Sequence, residues 1–328
     1  MKKILVLFLA VLTVASLAFV SCSSETVATD ASKAQKDSYT VGICQLIKHD
    51  ALDAATQGFQ DGLKANMPEG SVTFDLQNAA GDSNTCSTIA TTFVSKNVDL
   101  IMANATPALQ AAYNATDSIP ILGTSVTEYG VALGIEDFTG VVGTNVSGTS
   151  DLAPLDQQAE MILEILPDTK SVGLLYCSAE PNSAYQVQVV EDYLTAKGVA
   201  CKRFTFSDSN DIAAVTTAAA AASEVIYIPT DNAAASSAEI IRNIVLESKT
   251  PVFAGETGIC SACGVASLSI SYYDLGYKTG EMAAKVLKGE SKIQEMKIEY
   301  APAKKVYNKE IAEQLGITVP AEYEEIAG

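Results

Sequence analysis

The feature that most constrains the fold is an alternation of short apolar runs with amphipathic segments, which occurs twice along the chain. The first set of apolar, strand-like runs covers residues 39–45, 72–76, 99–103 and 119–122. After a glycine-rich stretch the rhythm restarts, with strand-like runs at 171–176, 202–206, 225–228, 251–254 and 265–270. Helical spacing fills the gaps, and one segment places Leu52, Ala55, Phe59 and Leu63 on a single face. Such alternation predicts an α/β protein with two doubly wound, parallel-sheet lobes, divided near residue 145.

The N-terminus has the pattern of a secretory signal. Lys2 and Lys3 precede an apolar run at 4–20 that is too short for a good membrane span. Ser21 then stands directly before Cys22, as in bacterial sequences that are cleaved before a cysteine that receives a lipid. We predict a signal peptide at 1–21, lipidation of Cys22, and a lipid anchor with a flexible, polar tether at 22–38. An ordinary signal peptide with an incidental cysteine is the alternative.

The charge balance excludes one class of partner. The formal net charge is −18, and cleavage before Cys22 would make it more negative by removing Lys2 and Lys3. Binding to nucleic acid needs a basic surface for the phosphates, so we expect no nucleic-acid partner. The same charge argues against a chain that lies flat on anionic lipid, which leaves the lipid anchor as the expected membrane contact.

Six cysteines remain beside Cys22, and most have an ordinary interpretation. Cys44, Cys177 and Cys201 lie in or at the end of strand-like runs, where a free thiol behaves as a small apolar side chain. Cys260 and Cys263 form a single C-x-x-C pair, whereas a structural zinc site needs a second pair or histidines. His49 is the sole histidine, so we predict no metal and no other cofactor. A disulfide between Cys260 and Cys263 stays open.

The common catalytic motifs are missing. No G-x-G-x-x-G follows the first strand, and neither a phosphate-binding P-loop nor a G-x-S-x-G nucleophile elbow occurs. A nucleophile needs an oriented base, and one histidine leaves few ways to supply it. We therefore predict no catalytic residue and a protein that is not an enzyme.

Polar residues cluster directly after the predicted strands. Ligands of open α/β sheets bind outside the carboxyl ends of the strands, so these residues are the candidate ligand-binding groups. They are Gln45, His49, Asn104, Thr106, Ser125, Asn182, Ser183, Asp231, Asn232 and Glu256. The competing interpretation is helix capping, because Ser, Thr, Asp and Asn are favoured before helices whatever the function.

This mixture of groups suits a zwitterion. Hydroxyls and the amides of helix N-termini can bind a carboxylate, and a carboxylate can bind an ammonium group. From its place after the strand at 225–228, we expect Asp231 to bind the ammonium group of an amino acid.

Residues 40–320 resemble the substrate-binding proteins of ABC transporters, in the group that includes tryptophan- and tyrosine-binding lipoproteins. The stretches that carry the resemblance are 41–45 with His49 and 51–53, 57–63, 75–78, 105–108, 145–151, 180–183, 228–232, 272–276 and 279–280. Two features depart from the family pattern: Val126-Thr-Glu-Tyr129 stands where Val-Thr-Asp-Pro is usual, and Cys260 and Cys263 adjoin a ligand-side loop.

The resemblance implies a type 1 periplasmic-binding-protein fold whose lobes are joined by a three-strand hinge. It places the N-terminal lobe at 39–144 plus 262–290 and the C-terminal lobe at 145–261 plus 291–328. It also implies an extracytoplasmic monomer that captures a small solute, with aromatic amino acids favoured, by closure of the hinge and delivers it to an ABC permease in the membrane.

Two other functions are compatible with the residues. A ligand-sensing receptor could use the same clamp to signal, although the chain carries no second membrane span or signalling domain. An exoenzyme could use Cys44, Cys260 or Cys263 with His49. Thiol titration and Cys→Ser variants would separate that enzyme from a binding protein, which should keep its ligand affinity.

Overall fold

The computed structural model describes residues 36–326, and strands and helices alternate through them as the sequence predicts. The strands are β1 (Tyr39–Gln45), β2 (Val72–Asn78), β3 (Leu100–Asn104), β4 (Ile121–Val126), β5 (Val146–Ser150), β6 (Ser171–Cys177), β7 (Ala200–Phe206), β8 (Val225–Ile228), β9 (Val252–Ala254), β10 (Ala266–Ser269), β11 (Glu299–Tyr300), β12 (Lys304–Tyr307) and β13 (Glu324–Glu325). The predicted signal peptide, the lipidation at Cys22 and the tether up to residue 35 lie outside the described residues.

The helices fill the spaces between the strands. They are α1 (Asp50–Ala65), α2 (Ser83–Ser95), α3 (Thr106–Ala115), α4 (Tyr129–Leu133), α5 (Leu155–Ile165), α6 (Pro181–Ala196), α7 (Ile212–Ala222), α8 (Asn232–Ser236), α9 (Ala238–Ser248), α10 (Thr257–Cys263), α11 (Tyr272–Leu287) and α12 (Lys309–Leu315), with a 3-10 turn at Ile293–Glu295. The sequence pattern did not predict α4 and α10, which are short.

The strands form two separate sheets, which confirms the two-lobed α/β prediction. The first sheet has the order β11-β5-β4-β3-β1-β2, and the second has the order β13-β12-β10-β9-β8-β6-β7. All strand pairs are parallel except β10 with β12. Helices cover both faces of the first sheet, since β1 buries Ile43 in a cluster with Phe59 and Cys44 in a separate cluster with Phe93. The second sheet likewise has two clusters, with Leu174 of β6 in one and Leu175 in the other.

The chain passes between the two sheets three times, at 151–154, 270–271 and 301–303. These three connections are the hinge that the family resemblance implied. The positions of the crossings differ from the expected lobe boundaries. β5 pairs with β4 in the first sheet, so the first crossing follows residue 150 and not residue 144.

The predicted lobe of strand β10 is wrong. β10 pairs with β9 and β12 in the second sheet, so the expected N-terminal segment 262–290 is correct only from α11 onward. Helix α11 returns to the first lobe because it packs closely along α1. The expected C-terminal segment 291–328 also changes, since β11 pairs with β5 and the chain reaches the second sheet only at β12.

Two further findings concern membrane-spanning helices and the thiols. Within residues 36–326, the structure contains no helix with the length and apolar character that a membrane span requires. Cys260 and Cys263 are free, buried thiols in α10, and Cys44, Cys86 and Cys177 are also free and buried.

Candidate functional site

The carboxyl ends of the central strands of both sheets meet at an interlobe cleft. The first lobe contributes the residues that follow β1, β3, β4 and β5, and the second contributes those that follow β6, β8, β9 and β10. A pocket of about 150 Å³ lies at one side of this cleft, between Ile47 and Pro107 of the first lobe and Glu180 and Asn232 of the second. The prediction that these loops converge therefore agrees with the geometry, while the role of each residue depends on its contacts.

Gln45 and Asn104 end neighbouring strands and hold the first helix in place. The Oε1 atom of Gln45 accepts from the Thr56 hydroxyl at 2.7 Å, and its Nε2 donates to Asp53 at 2.7 Å. Asn104 donates from Nδ2 to the Leu52 carbonyl at 2.8 Å and to Thr56 at 2.9 Å. Its Oδ1 is buried without a partner, so Asn104 keeps a free acceptor whereas Gln45 is satisfied within its own lobe.

Ser125 and the start of α3 supply donors beside Asn104. Ser125 lies at an irregularity of β4 with φ of 54°, and its buried hydroxyl has no partner. A non-glycine residue in this backbone region stores strain, which is common at binding sites. Helix α3 begins at Thr106 without a side-chain cap, because its N-cap residue is Ala105. Pro107 has no N–H and the Leu109 amide donates to the Ala105 carbonyl, so the amides of Thr106 and Ala108 are the ones that can receive an anion.

Asp231 is already fully engaged within the second lobe. Its Oδ1 accepts from the amide of Ala234 at 2.8 Å, and its Oδ2 accepts from the amide of Cys177 at 2.7 Å. This pattern is the helix-capping interpretation, with Asp231 as the N-cap of α8. Ser183, which is fully buried beside it, also bonds to Asp231.

Glu180 organises the neighbouring amides. Its Oε2 accepts from the Asn232 side chain at 2.6 Å and from the Asn232 backbone amide at 3.1 Å, and its Oε1 accepts from Ala233 at 2.9 Å. Asn182 also donates to Glu180, at 3.2 Å, and to the Thr230 carbonyl at 3.0 Å. The Oδ1 of Asn182 is buried and accepts no hydrogen bond from the protein. The second lobe, like the first, therefore has a free hydrogen-bond acceptor.

Glu256 is buried at the end of β9 and caps α10. Its two carboxylate oxygens accept from the amides of Gly258, at 2.6 Å, and of Ile259. Burial raises the pKa of Glu256 to about 7. Like Asp231, Glu256 already accepts hydrogen bonds from the helix that it caps.

Asp151 is the site residue that the sequence reasoning missed. It lies in the first hinge crossing, only 4% exposed, and its Oδ2 accepts from the Tyr272 hydroxyl at 2.9 Å in the second crossing. Its Oδ1 has no partner. The amide of Asp151 donates to the Val126 carbonyl, so the first hinge crossing begins beside the C-terminal end of β4.

Asp151, Glu180, Asp231 and Glu256 form an unusual buried group of carboxylates. Within the described part of the chain, no lysine, arginine or histidine forms an ion pair with any of them. Burial raises the pKa of all four, and that of Asp151 lies at about 6. A buried carboxylate without a counter-charge is costly, so the cleft favours a cationic group from a ligand.

His49 is not placed as a general base. It lies at the N-cap position of α1 without a side-chain capping bond, and its Nε2 bonds to Asn232 Oδ1 at 3.2 Å across the cleft. Burial lowers its pKa. Burial also raises the pKa of Cys260 and Cys263, and a hydrogen bond to Cys86 and burial raise that of Cys44. Thiols of this kind are poor nucleophiles.

Tyr129, one of the departures from the family pattern, is a core residue. It is almost wholly buried, stacks on Phe138, and donates its hydroxyl to the Thr149 carbonyl at 3.0 Å. The substitution thus fills the space between β4 and β5 beside Gly123 and Gly148.

Comparisons with known proteins agree with this geometry. Residues 40–327 match the family model for ABC transporter substrate binding proteins. A tyrosine-binding protein of Clostridioides difficile (strain R20291) is 39% identical over 273 residues, which cover 83% of this chain and 78% of that protein.

Two solved structures bear on the state of the cleft. A Streptococcus pneumoniae ABC domain in complex with L-Trp superposes with a TM-score of 0.84 at 32% identity, covering 88% of this chain and all of that one. The ligand-free, open structure of a Clostridium difficile substrate-binding protein with adhesive properties gives a TM-score of 0.66 at 36% identity, covering 88% and 99%. This chain therefore superposes better on the L-Trp complex than on the ligand-free, open structure.

The two lobes, the three-stranded hinge and the polar cleft define a clamp-type solute-binding protein of the type 1 fold. The chain belongs to the family of ABC transporter substrate-binding proteins. Proteins of this family bind small molecules outside the cytoplasm and work with membrane permeases.

Proposed function

We propose that this protein captures a free α-amino acid, with an aromatic side chain favoured, and delivers it to an ABC permease. The observation that carries the proposal is the unpartnered, buried Oδ1 of Asp151 at the hinge. This oxygen supplies the acceptor that an ammonium group requires, in a place where no protein cation within residues 36–326 competes.

The carboxylate of the same ligand has its own donors nearby. The Ser125 hydroxyl and the uncapped first-turn amides of α3 lie at the ends of β4 and β3, which are neighbours in the first sheet. β5, which leads into Asp151, is the next strand along. Donors and acceptor therefore lie side by side, as the adjacent charged groups of an α-amino acid require.

The preference for aromatic side chains rests on the relatives, one of which is a tyrosine-binding protein and another an L-Trp complex. Capture by a lipid-anchored monomer, with the lipid on Cys22, completes the proposal. In it the protein has no reaction of its own, which is supported by the buried thiols and by the engagement of His49 with Asn232.

A thermal-shift and calorimetric screen of residues 38–328 against the twenty amino acids, nucleosides and sugars tests this function. We expect L-tyrosine or L-tryptophan to raise the melting temperature, because a ligand that binds only the folded state stabilises it by mass action. A response to a sugar or a nucleoside, without any response to amino acids, would contradict the proposal.

The affinity should depend on pH through Asp151. Burial raises the pKa of this carboxyl to about 6, and the titratable groups that face it are Glu256 and the hydroxyls of Tyr129 and Tyr272. Only the ionised carboxylate binds an ammonium group well, so Kd should rise by up to about tenfold per pH unit below about pH 6. Calorimetry at pH 7.5, 6 and 5 measures this change.

The stability of the ligand-free protein should change in the opposite direction. A carboxyl group whose pKa is raised in the folded state binds protons more tightly there than in the unfolded chain. The free energy of unfolding should therefore fall as the pH rises from about 4 to about 7, the window of Asp151 and Glu256.

For ligand binding, an affinity that does not change between pH 7.5 and 5 would exclude Asp151 as the partner of the ammonium group.

A further inference from the structure

One hydrogen bond joins the side chains of the two lobes across the cleft. His49, at the start of α1, meets Asn232, at the start of α8, with 3.2 Å between Nε2 and Oδ1. Besides the contacts at the hinge connections, the Tyr272 hydroxyl at the start of α11 also approaches Thr230 of the second lobe. The bond between His49 and Asn232 joins the helix starts that face each other across the cleft.

The orientation of the Asn232 amide is fixed from behind. Its Nδ2 donates to Glu180 at 2.6 Å, and its backbone amide donates to the same carboxylate at 3.1 Å. The Oδ1 of Asn232 is therefore turned toward the first lobe as an acceptor, and His49 must carry its proton on Nε2 to donate. Because α1 receives no hydrogen bond from the His49 side chain, this side chain is free to serve the second lobe.

The same carboxylate connects this contact to the cleft. Asn182 donates to Glu180 Oε2 at 3.2 Å, while its own Oδ1 is buried and unpartnered. Glu180 itself is almost completely buried. A continuous chain of hydrogen bonds thus runs from His49 through Asn232 and Glu180 to an open acceptor.

We infer that His49, Asn232 and Glu180 form a closure latch that sets how long the closed lobes retain a ligand. The inference rests on the proposed function, in that the retained molecule is an amino acid. His49 acts here as a positioning residue, because it stabilises the closed arrangement without contacting the ligand. This differs from the ligand-binding role that the sequence suggested for it.

The rate constants of ligand binding test the latch, with L-tyrosine and L-tryptophan as probes. One lost hydrogen bond should raise the dissociation rate of His49→Ala about five- to tenfold, with the association rate within about twofold of wild type. His49→Gln, which keeps a donor, should recover part of the loss. Lys48→Ala, an exposed neighbour of the same loop, is the matched control and should leave both rates unchanged.

A double-mutant cycle separates the latch from a direct ligand contact. His49→Ala combined with Asn232→Ala should cost no more than the more damaging single variant, since both remove the same bond. The loss should also be equal for both amino acids, because the latch does not touch the ligand. Additive losses, a loss confined to one ligand, or an unchanged dissociation rate would overturn the latch.

Hydrogen exchange of the ligand-free protein gives a readout that does not depend on the proposed function. His49→Ala should increase amide exchange at 46–50 and at 230–236, on both sides of the cleft, relative to wild type and Lys48→Ala. If the wild-type protein binds no amino acid, the proposed function fails while this comparison still decides the latch. Unchanged exchange in both segments would overturn it.

Discussion

Asp151→Asn should reduce the affinity for the amino acid by at least about thirtyfold while making the ligand-free protein more stable. The substitution keeps the size of the side chain and an oxygen that can accept from Tyr272 at the hinge. It removes the negative charge that an ammonium group would pair with, and the loss of one partner of a buried charge pair costs about 2–5 kcal/mol. Calorimetry at pH 7.5 measures the change in affinity.

The gain in stability has a separate cause. In the free protein the ionised Asp151 is buried without a counter-charge, which raises its pKa to about 6. Replacing it with a neutral amide removes this cost, so the free energy of unfolding in urea should rise by about 1–3 kcal/mol at pH 7.5. A substitution that lowers the affinity and raises the free energy of unfolding identifies a residue whose charge serves ligand binding at a cost in stability.

Two comparisons control this result. Asp156→Asn makes the same change of charge at an exposed position in the first turn of α5 and should alter neither property. Asp231→Ala should instead destabilise the fold by about 1–2 kcal/mol, because Ala234 and Cys177 would lose their acceptor. If Asp231→Ala abolished binding in a stable protein and Asp151→Asn did not, the assignment of the ammonium site would be reversed.

The contrast between Asp231 and Asp151 shows how far the sequence could specify the site. The rule that ligands bind at the carboxyl ends of strands selected ten candidate residues that follow strands of both sheets. It could not tell a free acceptor from a cap, since Asp before a helix satisfies both interpretations. Only the folded structure shows that both oxygens of Asp231 are taken and that one oxygen of Asp151 is not.

The positions of the hinge crossings could not be predicted from the sequence for a related reason. β5 is fully buried but contains Ser, Gly and Thr, so its hydrophobic signal is weak and it is absent from the predicted strand-like runs. The lobe to which β10 belongs depends on which strands pair with it, and local periodicity contains no information about that pairing. The strand-helix rhythm, by contrast, follows from local apolar patterns and could be predicted.

The second large effect is expected at the contact between α1 and α11, which the sequence marks with glycines at a spacing of four. Gly58 and Gly62 on α1 face Gly276 and Gly280 on α11. A Cβ atom at Gly276 would lie 2.0 Å from the Ala55 carbonyl oxygen, and one at Gly58 would lie 2.1 Å from that of Tyr273. Backbone cannot retreat as a flexible side chain can, so the helices would have to separate.

Gly276→Ala should therefore lower the free energy of unfolding by about 3 kcal/mol, at the upper end of the cost of overpacking. The direction is informative, because alanine in a helix interior is otherwise favoured over glycine by about 1 kcal/mol. Gln57→Ala, on the exposed side of α1 next to Gly58, should change it by less than about 0.5 kcal/mol. Urea unfolding of the three proteins provides the measurement.

The same substitution should also weaken ligand binding, since α11 begins with Tyr272, whose hydroxyl holds Asp151. A shift of α11 away from α1 moves this hydroxyl and releases the carboxylate from its position at the hinge. The glycine contact thus links the packing of the first lobe to the geometry of the proposed ammonium site. A Gly276→Ala protein as stable as wild type would show that α1 and α11 can separate at no cost, and that α11 is held in the first lobe by other contacts.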